Sequence, residues 1–154
     1  MSGVARANST DRMVAAQAGE HWRVGFVIDA TTGERPGRDF LRGLAAKPAA
    51  EMMAVLIAVR DAPPYRFAGG GKWEAMHDAM AGFYEVRARS GQTLHRLFCL
   101  LDRTLDTPTL VVVSGASKPN RTPMSEAVYA EARRLRTEYE ERRDRGRLGD
   151  VLEV

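Results

Sequence analysis

From residue 22 onward the hydrophobic positions change period several times along the chain. Trp22-Arg23-Val24-Gly25-Phe26-Val27-Ile28-Asp29 reads as a strand, and Thr31 to Pro36 supplies turn chemistry after it. From Gly37 to Ala46 the period lengthens to that of a helix, with Phe40, Leu41, Leu44 and Ala45 on its buried side, until Lys47-Pro48 interrupts it. A second helix is predicted over 49–61, where Met52, Met53, Leu56, Ile57 and Val59 make a broad apolar stripe and Pro63-Pro64 ends the run. Residues 65–81 are the least regular. The runs 83–89 and 94–101 are then rich in strand-forming residues, and Ser90-Gly91-Gln92-Thr93 between them suits a hairpin connection. Leu105 to Pro108 turns the chain into Thr109-Leu110-Val111-Val112-Val113, a nearly continuous apolar run expected of an interior strand. Thr122 as N-cap and Pro123 at the first helical position predict a last helix reaching Arg143, with Met124, Val128, Ala132, Leu135 and Tyr139 on one side.

The hairpin carries the main chemical clue. With Arg89 opposite Leu94, Arg87 faces Arg96 and Val86 faces Leu97. Both arginines then share one surface, and Val86, Ala88, Leu97, Cys99 and Leu101 take the other. Like charges directly opposite one another destabilise a strand pair, so the arrangement calls for an anion between them. Glu85, two residues before Arg87 on the same face, offers the alternative of an ordinary surface ion pair. Both an anion site and a solvated charged face remain open from this pattern. The register itself is critical, because a slip of one residue would send Arg96 to the opposite face.

Composition narrows the class. A chain of 154 residues, 44% apolar and 28% charged, has room for one domain with its own core. The net charge of +3 permits an acidic partner without demanding one. A single cysteine, Cys99, excludes an intrachain disulfide and fits a reducing compartment, as core filler rather than nucleophile. No run has the length of a membrane span and the start lacks a signal-peptide core, so a cytoplasmic protein is expected, with no membrane partner. The small, polar stretch 1–21 reads as a flexible extension, 22–143 as the domain and 144–154 as a C-terminal tail.

Several motifs fail on inspection. Gly69-Gly70-Gly71-Lys72 is followed by Trp73 where a phosphate loop needs Ser or Thr, so Lys72 is instead a mobile cation on a glycine lip. His77 and Asp78, adjacent in sequence, splay apart on most backbones. One Cys and three scattered His do not make a structural zinc site, and neither a metal nor a small-molecule cofactor is expected. The arginines of the last helix are interleaved with Glu131, Glu138, Glu140 and Glu141, the pattern of a solvated face.

The order strand, two helices, three antiparallel strands and closing helix resembles the RelE/ParE/HigB toxin superfamily. The resemblance is carried by Gly82-Phe83-Tyr84-Glu85-Val86-Arg87, by His95-Arg96-Leu97-Phe98 and by Val113-Ser114-Gly115-Ala116-Ser117-Lys118-Pro119, which are similar to the G-x-Y-E-[LV]-R, [YH]-R-[VL]-F and G-x-x-K motifs of the phage-derived, HigB-like branch. Asp39-Phe40-Leu41-x-x-Leu44 is similar to a further piece of that branch, and the match spans roughly 22–139.

The resemblance implies an α+β, RelE-like fold: a small curved, mainly antiparallel sheet with two N-terminal helices and a C-terminal helix. It implies the toxin of a type II toxin–antitoxin system, a metal-independent, ribosome-dependent endoribonuclease that cuts mRNA and pairs with a cognate antitoxin of helix-turn-helix type. Arg87, Arg96 and Lys118 match the basic positions and are the expected catalytic set, with Lys72, Arg89 and Arg121 as further RNA contacts. Arginine binds two phosphate oxygens with one planar fork but does not give up its proton, so Lys118, Lys72, His95 or a ribosomal group must move protons. The His-Asp-Tyr-His set of some HigB relatives is not recognisable near this C-terminus, where Tyr129 and Tyr139 stand instead. The alternative within the same fold is a toxin or phage-derived protein that acts by binding a target such as DNA gyrase, without cutting RNA.

Overall fold

The computed structural model describes residues 21–62 and 71–154. Except for His21, the expected N-terminal extension lies outside these residues, as do Pro63-Pro64 and the first two glycines of the triple-glycine run. β1 (Arg23–Val27) leads to α1 (Pro36–Gly43) and α2 (Ala46–Asp61). β2 (Trp73–Ala75), β3 (Tyr84–Ser90), β4 (Thr93–Asp102) and β5 (Thr109–Pro119) follow, then α3 (Glu126–Asp144) and β6 (Leu152–Glu153). The strands form one sheet in the order β2-β3-β4-β5-β1-β6. β1 and β5 run parallel and every other neighbouring pair is antiparallel, so the fold is α+β on a mixed sheet.

Alternation along the strands divides the core in two. Trp73, Val86, Ala88, Leu97, Cys99, Leu110 and Val112 point to one side, where Leu41 of α1 and Met52, Val55, Leu56 and Val59 of α2 cover them. Phe98, Leu100, Val111 and Val113 point to the other, against Ala132, Leu135 and Tyr139 of α3 and Val151 and Leu152 at the C-terminal end. Coverage on both faces is the reason β5 is apolar without alternation. α1 lies unusually close to β5: a Cβ on Gly37 would stand 2.6 Å from Val112 Cγ1, and one on Gly115 would stand 2.3 Å from the Phe40 ring.

α3 is tied down by two buried carboxylates. Asp102, at the end of β4, accepts from Tyr139 Oη at 2.7 Å and Arg143 Nη1 at 3.0 Å through one oxygen, and from Thr104 N and Oγ1 through the other. Asp29, just after β1, accepts from Arg134 Nη2 at 2.8 Å and Thr31 N at 3.0 Å. Burial alone would raise both acids, yet these donors hold each below the ordinary carboxylate value of 3.8.

Four expectations need correction. The helical break falls at Leu44 and Ala45, which are extended, while Pro48 sits in the first turn of α2, where its missing N–H costs nothing. The N-cap of α3 is Ser125, whose Oγ accepts from Ala127 N at 3.2 Å, and not Thr122. The irregular region holds a strand: β2 pairs with β3, and Trp73 stacks on Tyr84 with ring centroids 5.0 Å apart. Residues 144–154 are no loose tail, because Leu152 pairs with Val27 in β6 and Val151 is fully buried.

Candidate functional site

The site is built on the β3–β4 hairpin. Ser90 pairs with Thr93, so Gly91 and Gln92 alone make the turn, and Gly91 takes φ +57 at the first central position, where a II′ turn uses glycine. That tight turn sets the register: Arg89 opposes Leu94, Arg87 opposes Arg96 and Val86 opposes Leu97. The two arginines therefore stand side by side on the sheet face that α3 covers further along.

One carboxylate lies between them. Arg87 donates from Nε and Nη2 to Glu85 Oε1 at 2.8 and 2.6 Å, while Arg96 Nε stands 3.9 Å from Glu85 Oε2. Two cations thus share one anion and keep a surplus positive charge. Arg87 keeps a solvent-facing side, at 40% side-chain exposure, whereas Arg96 is sunk to 14%. Burial pulls Arg96 down from its ordinary value, opposed by Glu85 and reinforced by Arg87. Tyr129 of α3 completes the group. Its ring meets Phe98 edge-on with centroids 5.8 Å apart, and burial raises its phenol, with the charge of Glu85 acting in the same direction and Arg96 against it. A phenol held in its neutral form can donate a hydrogen bond but cannot serve as the base.

A cleft of about 540 Å³ runs round the hairpin edge, lined by Glu51, Lys72, Arg87, Ala88, Arg89, Gly91, Leu94 and Arg96. Four of the six expected site residues, Arg87, Arg96, Lys72 and Arg89, therefore meet in one place. Lys72 is anchored through its carbonyl, which accepts from Arg87 N at 3.0 Å, and its side chain is exposed. Arg89 also reaches Asn120 Oδ1 at 3.3 Å. Lys118 pairs with Leu94 and so shares the arginine face, but its ammonium turns to Thr122 O at 2.5 Å instead of lining the cleft. Arg121 is exposed in a left-handed turn, φ +63, beyond the end of β5. The expected trio reduces to a pair with flanking cations.

His95 does face away from Arg96, as its position predicts. It is buried, with Nδ1 2.7 Å from Ser117 Oγ and Nε2 3.0 Å from Ser90 Oγ, a polar clasp across three strands. His77 and Asp78 are exposed, Asp78 opening a short 3-10 turn at φ +54, and they make no hydrogen bond to each other. Cys99 is fully buried, which pushes its thiol far up and leaves it inert. Among the described residues no three of His, Cys, Asp or Glu come together to hold a metal ion, and no helix is long and apolar enough to cross a membrane.

Tyr129 and Glu51 are the residues that sequence reasoning did not bring to the site. Phe98, two residues from Arg96 and hence on the same face, signals that α3 must cover that side of β4. Tyr129, beside the apolar stripe of α3, is the residue that does so. Nothing in the sequence aligns Glu51 with the hairpin edge. Comparison with protein-family models, with curated proteins and with solved structures finds no match to this chain. The functional reading therefore stands on the cleft and on the motifs.

Proposed function

We propose that this chain is the toxin of a type II toxin–antitoxin system with a RelE-like, HigB-related fold, acting as a ribosome-dependent mRNA endoribonuclease and held inactive in the cytoplasm by a cognate antitoxin. The observation that carries the reading is the pair Arg87 and Arg96, opposed across two strands and sharing the single carboxylate of Glu85 at the rim of a cationic cleft. The three ordered motifs add to it.

The chemistry is attack of a ribose 2′-oxygen on the neighbouring phosphorus, with the P–O5′ bond breaking to leave a 2′,3′-cyclic phosphate and a 5′-hydroxyl. Negative charge grows on the five-coordinate phosphate, and fixed guanidinium groups stabilise that state more than the ground state. Arg87 and Arg96 hold the phosphate oxygens. Glu85 Oε2, which makes only the long contact to Arg96, accepts the 2′-proton; water protonates the departing 5′-oxygen and recovers its proton from the Glu85 carboxyl, while Tyr129 donates a hydrogen bond to the phosphate. Lys72 and Arg89 bind the backbone on either side, while Lys118 and Arg121 contact RNA from outside the cleft.

Inducing the protein in a bacterial host and mapping transcript ends tests this. New ends and growth arrest are expected with the wild type and are absent from the Arg87→Ala/Arg96→Ala double variant. Identical transcript profiles from the two would remove the nuclease reading. The second reading, inhibition of a target such as DNA gyrase by binding, is favoured by the placement of His95 on the face opposite the arginines, which leaves the cleft without a histidine for proton transfer. Inhibition of supercoiling by the purified protein, without RNA cleavage, selects that reading.

A further inference from the structure

Among the residues that line the cleft, Glu51 has a position that phosphate binding does not explain. It lies on α2 three residues after Pro48 and four before Val55, both buried, so it flanks the packed side of the helix, where an apolar side chain is the ordinary choice. Its side chain lines the same cleft as Lys72, Arg87, Arg89 and Arg96, reaching the hairpin edge from the α2 side of the sheet, and among the described residues it forms no ion pair or hydrogen bond with any of them. A carboxylate that lines a cationic cleft without a partner is an acceptor pair open to a ligand. It also weakens the field that would bind phosphate, so it is a cost unless it contacts the ligand.

We infer that Glu51 reads the base of the nucleotide whose phosphate the arginines hold, and that this base is guanine. The inference rests on the RNA reading of the cleft. A carboxylate only accepts hydrogen bonds, and it does so through two oxygens side by side. Guanine alone of the four RNA bases presents two adjacent donors on its pairing edge, N1–H and the N2 amino group. Adenine and cytosine set an amino donor beside a ring-nitrogen acceptor, and uracil sets one N–H between two carbonyls, so each would turn a lone pair toward one carboxylate oxygen. Single-stranded RNA exposes this edge once its bases are unstacked. The cleft joins a polar wall of guanidinium groups to Ala88, Gly91 and Leu94, which offer a small apolar surface for a base to lie against.

Sequencing the transcript ends produced on induction tests the assignment in the same cells. With the wild type, one fixed position at the cut is expected to carry guanine over adenine by about tenfold or more, the range of a good bidentate base contact. Glu51→Gln, which presents one donor in place of one acceptor, is expected to level that bias while cuts continue. The same loss in Glu51→Ala, with melting curves of both purified variants matching the wild type, assigns the effect to base reading. Cuts with no guanine bias, or a bias that survives both substitutions, overturn the inference and leave the RNA reading standing. Loss of all cutting in well-folded variants also overturns it, because Glu51 would then serve cleavage itself. Absence of wild-type cuts above the Arg87→Ala/Arg96→Ala control removes the RNA reading and this inference together.

Discussion

Glu85 sets what the arginine pair can do. Its bonds to Arg87 and its longer contact to Arg96 hold two like charges on neighbouring strands at a tolerable cost, and any phosphate must compete with it. Glu85→Gln is therefore expected to strengthen binding of a non-cleavable 2′-O-methyl RNA while lowering cleavage by about a hundredfold, the least that losing a general base removes. Anisotropy titration and a cleavage assay read the two effects separately; a fall in both would make Glu85 a support for the arginines alone. Asp102 is the corresponding residue in the core. Tyr139→Phe removes one donor from a buried carboxylate and is expected to cost about 1–3 kcal/mol in urea denaturation. Asp102 is held below its ordinary 3.8 in the folded chain. Its contribution is thus complete above that value and is lost as pH falls through the lower folded value, so Asp102→Asn should flatten the acid limb of the stability curve.

At the scale of elements, helix boundaries follow local backbone chemistry less closely than strand register does. α1 ends on Gly43, and the chain is extended through Leu44 and Ala45 before α2 begins, so the break falls one turn before Pro48. Val55 is buried, whereas Met53 and Ile57, counted in the expected stripe, are exposed at 37% and 42%. The stripe is thus narrower than hydrophobicity implies, and rotated toward Val55. The close seat of α1 on β5 depends on two missing side chains. Gly115→Ala would drive a methyl into the Phe40 ring and is expected to destabilise the protein by about 1–3 kcal/mol, measured by chemical denaturation. An unchanged midpoint would mean that α1 is free to shift.

For the whole molecule, the C-terminal strand is the unexpected structural element. β6 closes the far edge of the sheet beside β1, and Glu153 accepts from both Arg35 and Arg38, tying the start of α1 to the chain end. Truncation after Gly146 removes the buried Val151 and Leu152 and uncovers the β1 edge. It is expected to cost about 3–6 kcal/mol from the apolar burial alone, read as a lowered melting temperature together with aggregation. A truncated protein that melts like the full chain would show that β6 is dispensable. The candidate cleft lies at the opposite edge of the sheet, by β3, so truncation is expected to act on stability and not on the arrangement of Arg87 and Arg96.

Where the determinants were local, the amino-acid sequence sufficed. Alternation over 83–101 and a glycine between the two runs specify a hairpin and the face each side chain takes; the two-residue turn, with Ser90 paired to Thr93, then fixes which residues oppose and hence the Arg87–Arg96 pair. The same logic assigned the interior strand, the apolar side of α3 and the placement of His95 on the face opposite Arg96. Contacts between distant segments were decided only by the tertiary structure. β2 and β6 are too short to have a period. Ser125 caps α3 because the chain leaving β5 first turns through Arg121. Lys118 shares a face with the arginines yet finds a nearer acceptor in Thr122. Glu51 and Tyr129 come to the hairpin from two helices on opposite faces of the sheet, a meeting that depends on how those helices pack and that no spacing along the chain encodes.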